Sequence, residues 1–308
     1  SVEANPASIT VGGTSTLKTR LNFNAADTAV SYAASPDGKV TIDGSTVTGA
    51  ARGTVTITAT AAGSSKTTTL TVTGGTAGNW VYVDSHSGQI QYTGNWVDET
   101  STNHYEGSAK EANDAPGATA SLTFTGTGFR WIGQMDSNYG RAWIYVDDVL
   151  VAIGNANSST NPYQFTILEL HGLENKQHTV RLEAESNAPV QVDAFAYYTG
   201  TDLDETVSSV ALEPSGLIRL GDGESKRVLA MAMNAERVVV FRDDFRFTLE
   251  NDTIAGLSGD GKTQKTVTGK MAGRTRLHVT LPELNDKSAT AEIVVTSTEP
   301  ATTPRMLV

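Results

Sequence analysis

The sequence has 308 residues, no cysteine, a formal net charge of −11 and only 7% aromatic residues. Without thiols there can be no disulfide framework, thiolate metal site or cysteine nucleophile, and the acidic balance argues against nucleic acid or an anionic membrane surface as a partner. No apolar run reaches the ~18–20 residues that span a bilayer, so membrane insertion is not expected.

From the N-terminus onward the chain alternates. "STLKTRLNF" (15–23), "GTVTITATA" (53–61), "KTTTLTV" (66–72), "TASLTFTG" (119–126), "FRWIG" (129–133), "AWIYVDD" (142–148), "HTVRLEAES" (178–186) and "TAEIVVTS" (290–297) place apolar side chains at every second position. Gly, Asn, Asp and Ser cluster between them, as expected of half-buried strands joined by tight turns. No amphipathic helix of ten residues is visible, and the irregular "DETSTNHYEGSAKEAND" (98–114) has room for one helical turn at most. The expected fold class is therefore all-β, with three tandem β-sandwich domains.

Two linker-like stretches, "TGGTAG" (73–78) and "YTGTDLDET" (198–206), set the expected boundaries. They give domains at 1–75, 76–200 and 201–299, followed by a proline-containing tail at 300–308. The chain opens at Ser1 with no signal-like stretch, which suggests a mature or excised piece of a longer polypeptide.

The outer segments repeat one another. "TVTGAARGTVTITAT" (46–60) aligns without gaps on "TVTGKMAGRTRLHVT" (266–280), and "VEANPASITVGG" (2–13) corresponds to "VALEPSGLIRLGDG" (210–223). These two patterns resemble the bacterial immunoglobulin-like group 2 domain. The resemblance implies spacer or presentation modules on secreted or cell-surface bacterial proteins.

The middle segment holds all four Trp and most of the nine Tyr. Its "YTGNW" (92–96), "PGATASLTFTGTG" (116–128), "GRAWIYVD" (140–147), "LENKQHTVRLEA" (173–184) and "VDAF" (192–195) resemble a carbohydrate-binding-module-like sandwich of the galactose-binding, jelly-roll type, of the kind appended to bacterial glycoside hydrolases. The resemblance implies a polysaccharide or glycan partner and an extracellular or cell-surface location. A pyranose presents a C–H face that stacks on Tyr or Trp and hydroxyls that pair with Asn, Asp, Gln or Arg, and such groups sit best on loops at one end of a sandwich. The loop "GQMDSNYGRAW" (133–143) supplies Gln134, Asp136, Asn138, Tyr139 and Arg141. Trp96, His104, Tyr105, Asn161 and Tyr163 are further candidates from neighbouring loops. Trp131 is expected to be structural. Trp143 and Tyr145 share a strand face opposite Ile144 and Val146.

No cofactor is required by this reading, although a structural calcium is compatible with it. The resemblance offers Asp84 and Asp193, near the first and last strands of the segment, as ligands. "DSNYGRAWIYVD" (136–147) departs from a calcium loop in its Gly position and final residue, and reads as an Asx-type turn. The five His lack close metal spacing, and His178 is expected to pack or hydrogen-bond. No G-x-S-x-G elbow is present, and the chain is expected to be non-catalytic, an ancillary part of a glycoside hydrolase or other polysaccharide-active enzyme.

One motif points elsewhere. "GLSGDGKT" (256–263) matches the phosphate-cradling G-x-x-x-x-G-K-[ST], yet a phosphate loop needs a helix after it. The next residues, "TQKTVTGKMAGRTRLHVT", alternate like a strand, and the equivalent position of the first repeat is the plain turn "VTIDGS". A hairpin connection is expected. The functional expectation is a glycan-binding module between spacers, and its rival is a purely structural, adhesin-like or phage-like stalk without sugar binding.

Overall fold

A computed structural model describes residues 1–21, 29–36, 38–50, 52–75 and 77–297. The expected tail at 300–308 and the end of the first expected strand lie outside the described residues. The described chain is built of strands, with one 3₁₀ turn at Tyr105–Gly107 inside the irregular stretch and no α-helix among the described residues. The alternating pattern works as anticipated in Gly53–Ala61, where Val55, Ile57 and Ala59 are buried while Thr54 and Thr56 face solvent.

The two repeats share one strand order. In the first, Val2–Asn5, Thr14–Thr19, Thr46–Gly49 and Val40–Asp43 form one sheet, and Ser8–Thr10, Ser64–Thr73, Gly53–Ala61 and Ser31–Ser35 form the other. In the second, Ser209–Glu213, Ser225–Met233, Gln264–Gly269 and Ala255–Ser258 correspond to the first sheet, and Leu217–Gly221, Leu284–Thr296, Gly273–Leu281 and Arg246–Leu249 to the second. In both, the short strand after the proline runs parallel to the last strand, pairing Ser8 with Thr71 and Leu217 with Glu292. The glycine of TVTG has the same cause in each copy. A Cβ at Gly49 would strike the Thr10 carbonyl, and one at Gly269 would strike that of Gly221.

"GLSGDGKT" lies within the second repeat. Ala255–Ser258 pairs antiparallel with Gln264–Gly269, Ser258 opposite Thr266, so the motif is the end of a strand and its hairpin connection. The oriented helix N-terminus that a phosphate would need is absent there.

The middle segment packs a five-stranded sheet (Gln91–Thr93, Thr119–Gly126, Lys176–Ala184, Arg141–Val146, Val149–Asn155) against the strands Phe165–His171, Gly128–Gly133, Ala194–Tyr198 and Trp80–Asp84. A smaller sheet of Val97–Thr100, Ser108–Ala112 and Val190–Val192 lies alongside. Phe124, Phe129, Trp131, Ile144, Leu150, Leu170, Leu182 and Phe195 fill the core. Ile144 and Val146 face inward, as the period predicts. On the opposite face, the Arg181 guanidinium lies 3.8 Å from the Tyr145 ring centroid and that of Arg227, from the third segment, 5.2 Å from Trp143.

The segments on either side of "YTGTDLDET" are joined by strand pairing. Val239–Val240 pairs parallel with Leu170 and His171 on one side and antiparallel with Ala232 and Met233 on the other. The result is one sheet running from the third segment into the second. The Phe241 N–H donates to the His171 carbonyl at 2.8 Å, and Leu229, Met231 and Val239 belong to the apolar cluster of the middle core. An edge strand that would otherwise present unpaired backbone groups is thereby covered. The first segment meets the others differently: Lys39 pairs with Glu205 and Ser35 bonds Glu283, beside a cleft of about 950 Å³ lined also by Glu174, Arg242 and Asp244. One junction is apolar and strand-paired, the other ionic.

The apolar junction makes a prediction. All four Trp lie in residues 80–143, so tryptophan fluorescence reports on the middle segment. Leu229→Ala, a truncation in the third segment expected to cost about 2–5 kcal/mol, will lower the denaturation midpoint of that fluorescence. An unshifted transition would show that the two segments unfold independently.

Candidate functional site

The loop 133–143 is ordered by its own turn chemistry. Asp136 Oδ1 accepts the Asn138 N–H at 3.0 Å and the Ser137 hydroxyl at 3.2 Å, and the Asn157 amide donates to the carbonyls of Ser137 and Tyr139. This is the Asx turn expected from the sequence. At the far end of the same stretch Asp147 does not return to Asp136; its carboxylate bonds His178 Nδ1 at 2.8 Å and the Thr179 N–H at 2.9 Å. The other His178 nitrogen lies 2.8 Å from the Glu174 carbonyl, so this histidine has the packing and bonding role expected of it.

Beneath the loop lies a buried polar group whose centre is Gln191. It is 0% exposed, midway along Val190–Val192. Its Oε1 accepts the Gln134 N–H at 2.9 Å, its Nε2 donates to Glu99 Oε2 at 2.7 Å, and its main-chain carbonyl takes the Trp131 indole N–H at 2.8 Å. The Tyr139 hydroxyl, 3.4 Å from that same amide, donates to Glu111 Oε2 at 2.7 Å. Burial raises the Glu111 carboxyl above the usual carboxylate range, the Tyr139 bond opposes this and the Glu99 charge adds to it. Burial together with Glu111 also raises the Tyr139 phenol, so it stays neutral and donates.

The loops outside this group bring aromatics to its edge. The Tyr163 ring, 40% exposed, stands edge-on to His104 at 5.4 Å, and His104 Nε2 is 3.7 Å from Glu99 Oε2. Tyr105 stacks on Tyr82 at 5.7 Å. Gln164, beyond Asn161, donates to the Asn103 carbonyl at 3.0 Å, fastening the two loops together.

Of the residues singled out in the sequence, Gln134, Tyr139 and Tyr163 join this constellation, Asp136 shapes its turn, and Asn138 is exposed at the tip. Arg141 has other partners. Its Nε and Nη2 grip Glu185 at 2.6 and 2.7 Å, and its Nη1 reaches Glu213 of the third segment at 2.5 Å. Trp96 is half-buried on a separate stretch, edge-on to Tyr92 at 5.0 Å with its indole N–H on the Thr93 carbonyl. Sequence reasoning missed Glu99, Glu111 and Gln191. The available signal was a polar residue in an inward position of a short strand, clearest in "VQV".

Asp84 and Asp193 lie on the outer flank, Asp84 pairing with Ala194 across the strands. Asp193 Oδ1 accepts the Tyr105 N–H at 2.8 Å and Asp84 Oδ1 the His86 N–H at 2.7 Å, while both Oδ2 atoms are buried without a partner. Burial, with the Asp84 charge adding, pushes the Asp193 carboxyl up to about 7. Two unpartnered carboxylate oxygens suit an oxygen-seeking cation. Among the described residues, however, no group of three or more His, Asp or Glu side chains could hold a metal. A calcium here would take its remaining ligands from main-chain carbonyls and water.

No protein-family model matches the chain. Over 118 residues it is 36% identical to the A type blood N-acetyl-alpha-D-galactosamine deacetylase of Flavonifractor plautii, covering 38% of this chain and 15% of that one. Over 119 residues it is 34% identical to the A type blood alpha-D-galactosamine galactosaminidase of the same organism, covering 39% of this chain and 11% of that one. The chain thus spans a small part of the length of either enzyme. Among solved structures, a family two carbohydrate esterase from Cellvibrio japonicus covers 47% of the chain at 13% identity and a TM-score of 0.29. Domains 1–6 of the surface layer protein SbsC cover 97% at 13% identity and a TM-score of 0.28. Neither of these last two likenesses is close enough to assign a fold or a function. Among the described residues no helix is long and apolar enough to cross a membrane.

The raised Asp193 carboxyl sets a direction for stability. The folded state holds this proton up to about pH 7, whereas the unfolded chain releases it near the ordinary value of 3.8. The stability this group contributes is therefore full below pH 4 and is lost as pH rises through 7. In chelator-containing buffer, the melting temperature of Asp193→Asn relative to the parent should be nearly unchanged at pH 4 and should rise steadily to pH 8. A pH-independent difference would contradict the assignment.

Proposed function

We propose that the chain is a non-catalytic glycan-binding unit of a larger, secreted or surface-exposed carbohydrate-active protein. In this reading residues 76–200 form a jelly-roll-type binding domain, flanked at 1–75 and 201–299 by bacterial immunoglobulin-like domains that hold it in place. The observation that carries the proposal is the pair of relatives. One enzyme removes an acetyl group and the other cleaves a glycosidic bond, yet each resembles this chain over about 120 residues and only 15% or 11% of its own length. A stretch of this kind found in enzymes of different chemistry is better suited to holding their common class of substrate than to performing either reaction. Its length is close to that of the aromatic-rich middle segment. The sugar would stack on Tyr163 and bond the polar edge formed by Gln134, Asp136, Asn138 and the Tyr139–Glu111 pair.

A glycan array that includes N-acetylgalactosamine- and galactosamine-terminated structures tests this directly. Binding of at least one glycan class, weakened about tenfold by Tyr163→Ala, is expected. Absence of binding across the array would favour the stalk reading, and turnover of any glycan by the chain would overturn the non-catalytic one.

We further propose that Asp84 and Asp193 hold a structural calcium through their unpartnered oxygens. At pH 7.5, calcium should raise the melting temperature of the parent chain and leave that of the Asp84→Asn, Asp193→Asn double variant unchanged. An equal response from both proteins would remove these residues as ligands.

A further inference from the structure

A cleft of about 950 Å³ lies where the three segments meet, and a neighbouring one of about 630 Å³ shares Lys39, Glu205 and Arg242 with it. Among the described residues, none from the loop at 133–143 lines either cleft. Val149, Leu173, Val240 and Phe241 give the larger cleft apolar surface, and much of the remaining lining is charged. Those charges are largely matched within the protein: Lys176 with Glu174 at 2.7 Å, Arg242 with Asp244 at 2.7 Å and His178 with Asp147 at 2.8 Å. Ligand pockets have volumes of roughly 300–1,000 Å³ and form preferentially where domains meet, and this cleft has both properties.

Lys39 and Glu205 supply a second, independent observation. They form an ion pair across the junction with side chains only 22% and 8% exposed, yet Glu205 Oε2 is buried without a hydrogen bond. Burial, with the Arg242 charge adding and Glu174 opposing, pushes the Lys39 ammonium down to about 8. A buried ion pair offsets its desolvation only when further hydrogen bonds satisfy its remaining lone pairs and protons. Here the carboxylate lacks them, and the pair lines both clefts. A polar group that donates to Glu205 is missing from the cleft.

We propose that the cleft is a second carbohydrate site, for a neutral sugar with a hydroxyl that donates to Glu205 and accepts from Lys39. The site is argued from the cleft itself, whereas the choice of a sugar as its ligand rests on the glycan-binding reading. A hydroxyl is both donor and acceptor, so it serves both members of an ion pair and leaves their charge balance intact. A sugar bearing a carboxylate or an ammonium brings a charge that one member of the pair repels. The apolar residues of the cleft take the C–H surface of the ring. Because all three segments supply lining residues, an occupied cleft also ties the first segment to the other two.

The test is an NMR titration of the full chain, following backbone amides. The probes are the methyl glycosides of galactose and N-acetylgalactosamine, with galacturonate and galactosamine as charged counterparts. The neutral sugars are expected to move the amides of Gly38, Asn175 and Thr206, which line the two clefts. They should bind there about fivefold more tightly than the charged sugars. These shifts should persist in Tyr163→Ala and vanish in Asn175→Trp, which fills the larger cleft from an exposed bend. Glu205→Gln keeps the side-chain shape, removes the charge and should weaken binding at the cleft about tenfold. A thermal melt of each variant checks that it is folded. Cleft amides that do not move, that respond equally to the charged sugars, or that still respond in Asn175→Trp overturn the inference. If only amides of the loop at 133–143 respond, and Tyr163→Ala abolishes that response, the glycan reading stands and the second site falls. If no sugar moves either set, both fall.

Discussion

The side chain and carbonyl of Gln191 connect the core of the middle segment to its surface. A fully buried amide must satisfy each of its polar atoms or lose stability comparable to a hydrogen bond for each one left open. Here the carbonyl is used by Trp131, the largest side chain of the core, and the amide by Gln134, Glu99 and, at longer range, Tyr139. Moving Gln191 would leave the Trp131 indole N–H and the Glu99 carboxylate without partners. The loop at 133–143 therefore lies where core packing requires, and the polar face it presents is a consequence of that packing.

The same economy governs how the segments are joined. A two-residue strand, Val239–Val240, is too short to be stable by itself, yet it satisfies the edge of Phe165–His171 and continues the sheet into the third segment. His171 adds a second connection, with its ring nitrogens directed at the Asp204 carbonyl and at Glu169, which also pairs with Arg130. The joint is thus made by Val239–Val240, and the linker-like stretch adds the Asp204 carbonyl beside His171. The first segment is held to the others by Lys39–Glu205 and Ser35–Glu283 across a cleft.

What could be read from the sequence was local. Alternation placed the strands and the strand after "GLSGDGKT" excluded a phosphate loop, because each of these signals lies within about a dozen residues, and the TVTG repeat revealed two copies of one unit because two short stretches align without gaps. The Asp136 turn and the inward Ile144 and Val146 were legible for the same reason. The polar group under the loop was not. Glu99, Glu111, Tyr139 and Gln191 are separated by up to 92 residues, and only the pairing of Ser108–Ala112 with both Val97–Thr100 and Val190–Val192 brings three of them together. Arg141 shows the converse. Its position in a polar loop suggested a ligand contact, whereas its partners, Glu185 and Glu213, lie 44 and 72 residues away.

Arg141 also changes how the third segment should be understood. Its guanidinium holds the base of the loop to Glu185 within the middle segment and to Glu213 beyond it, while Asp136 and Asn157 fix the tip. In the proposed binding role, a loop held at both ends has little conformational freedom left to lose when it meets a ligand. The segment that looks like a spacer in sequence thus contributes a carboxylate that helps to fix this loop. The third segment shares with the second a sheet, an apolar cluster and an ion pair.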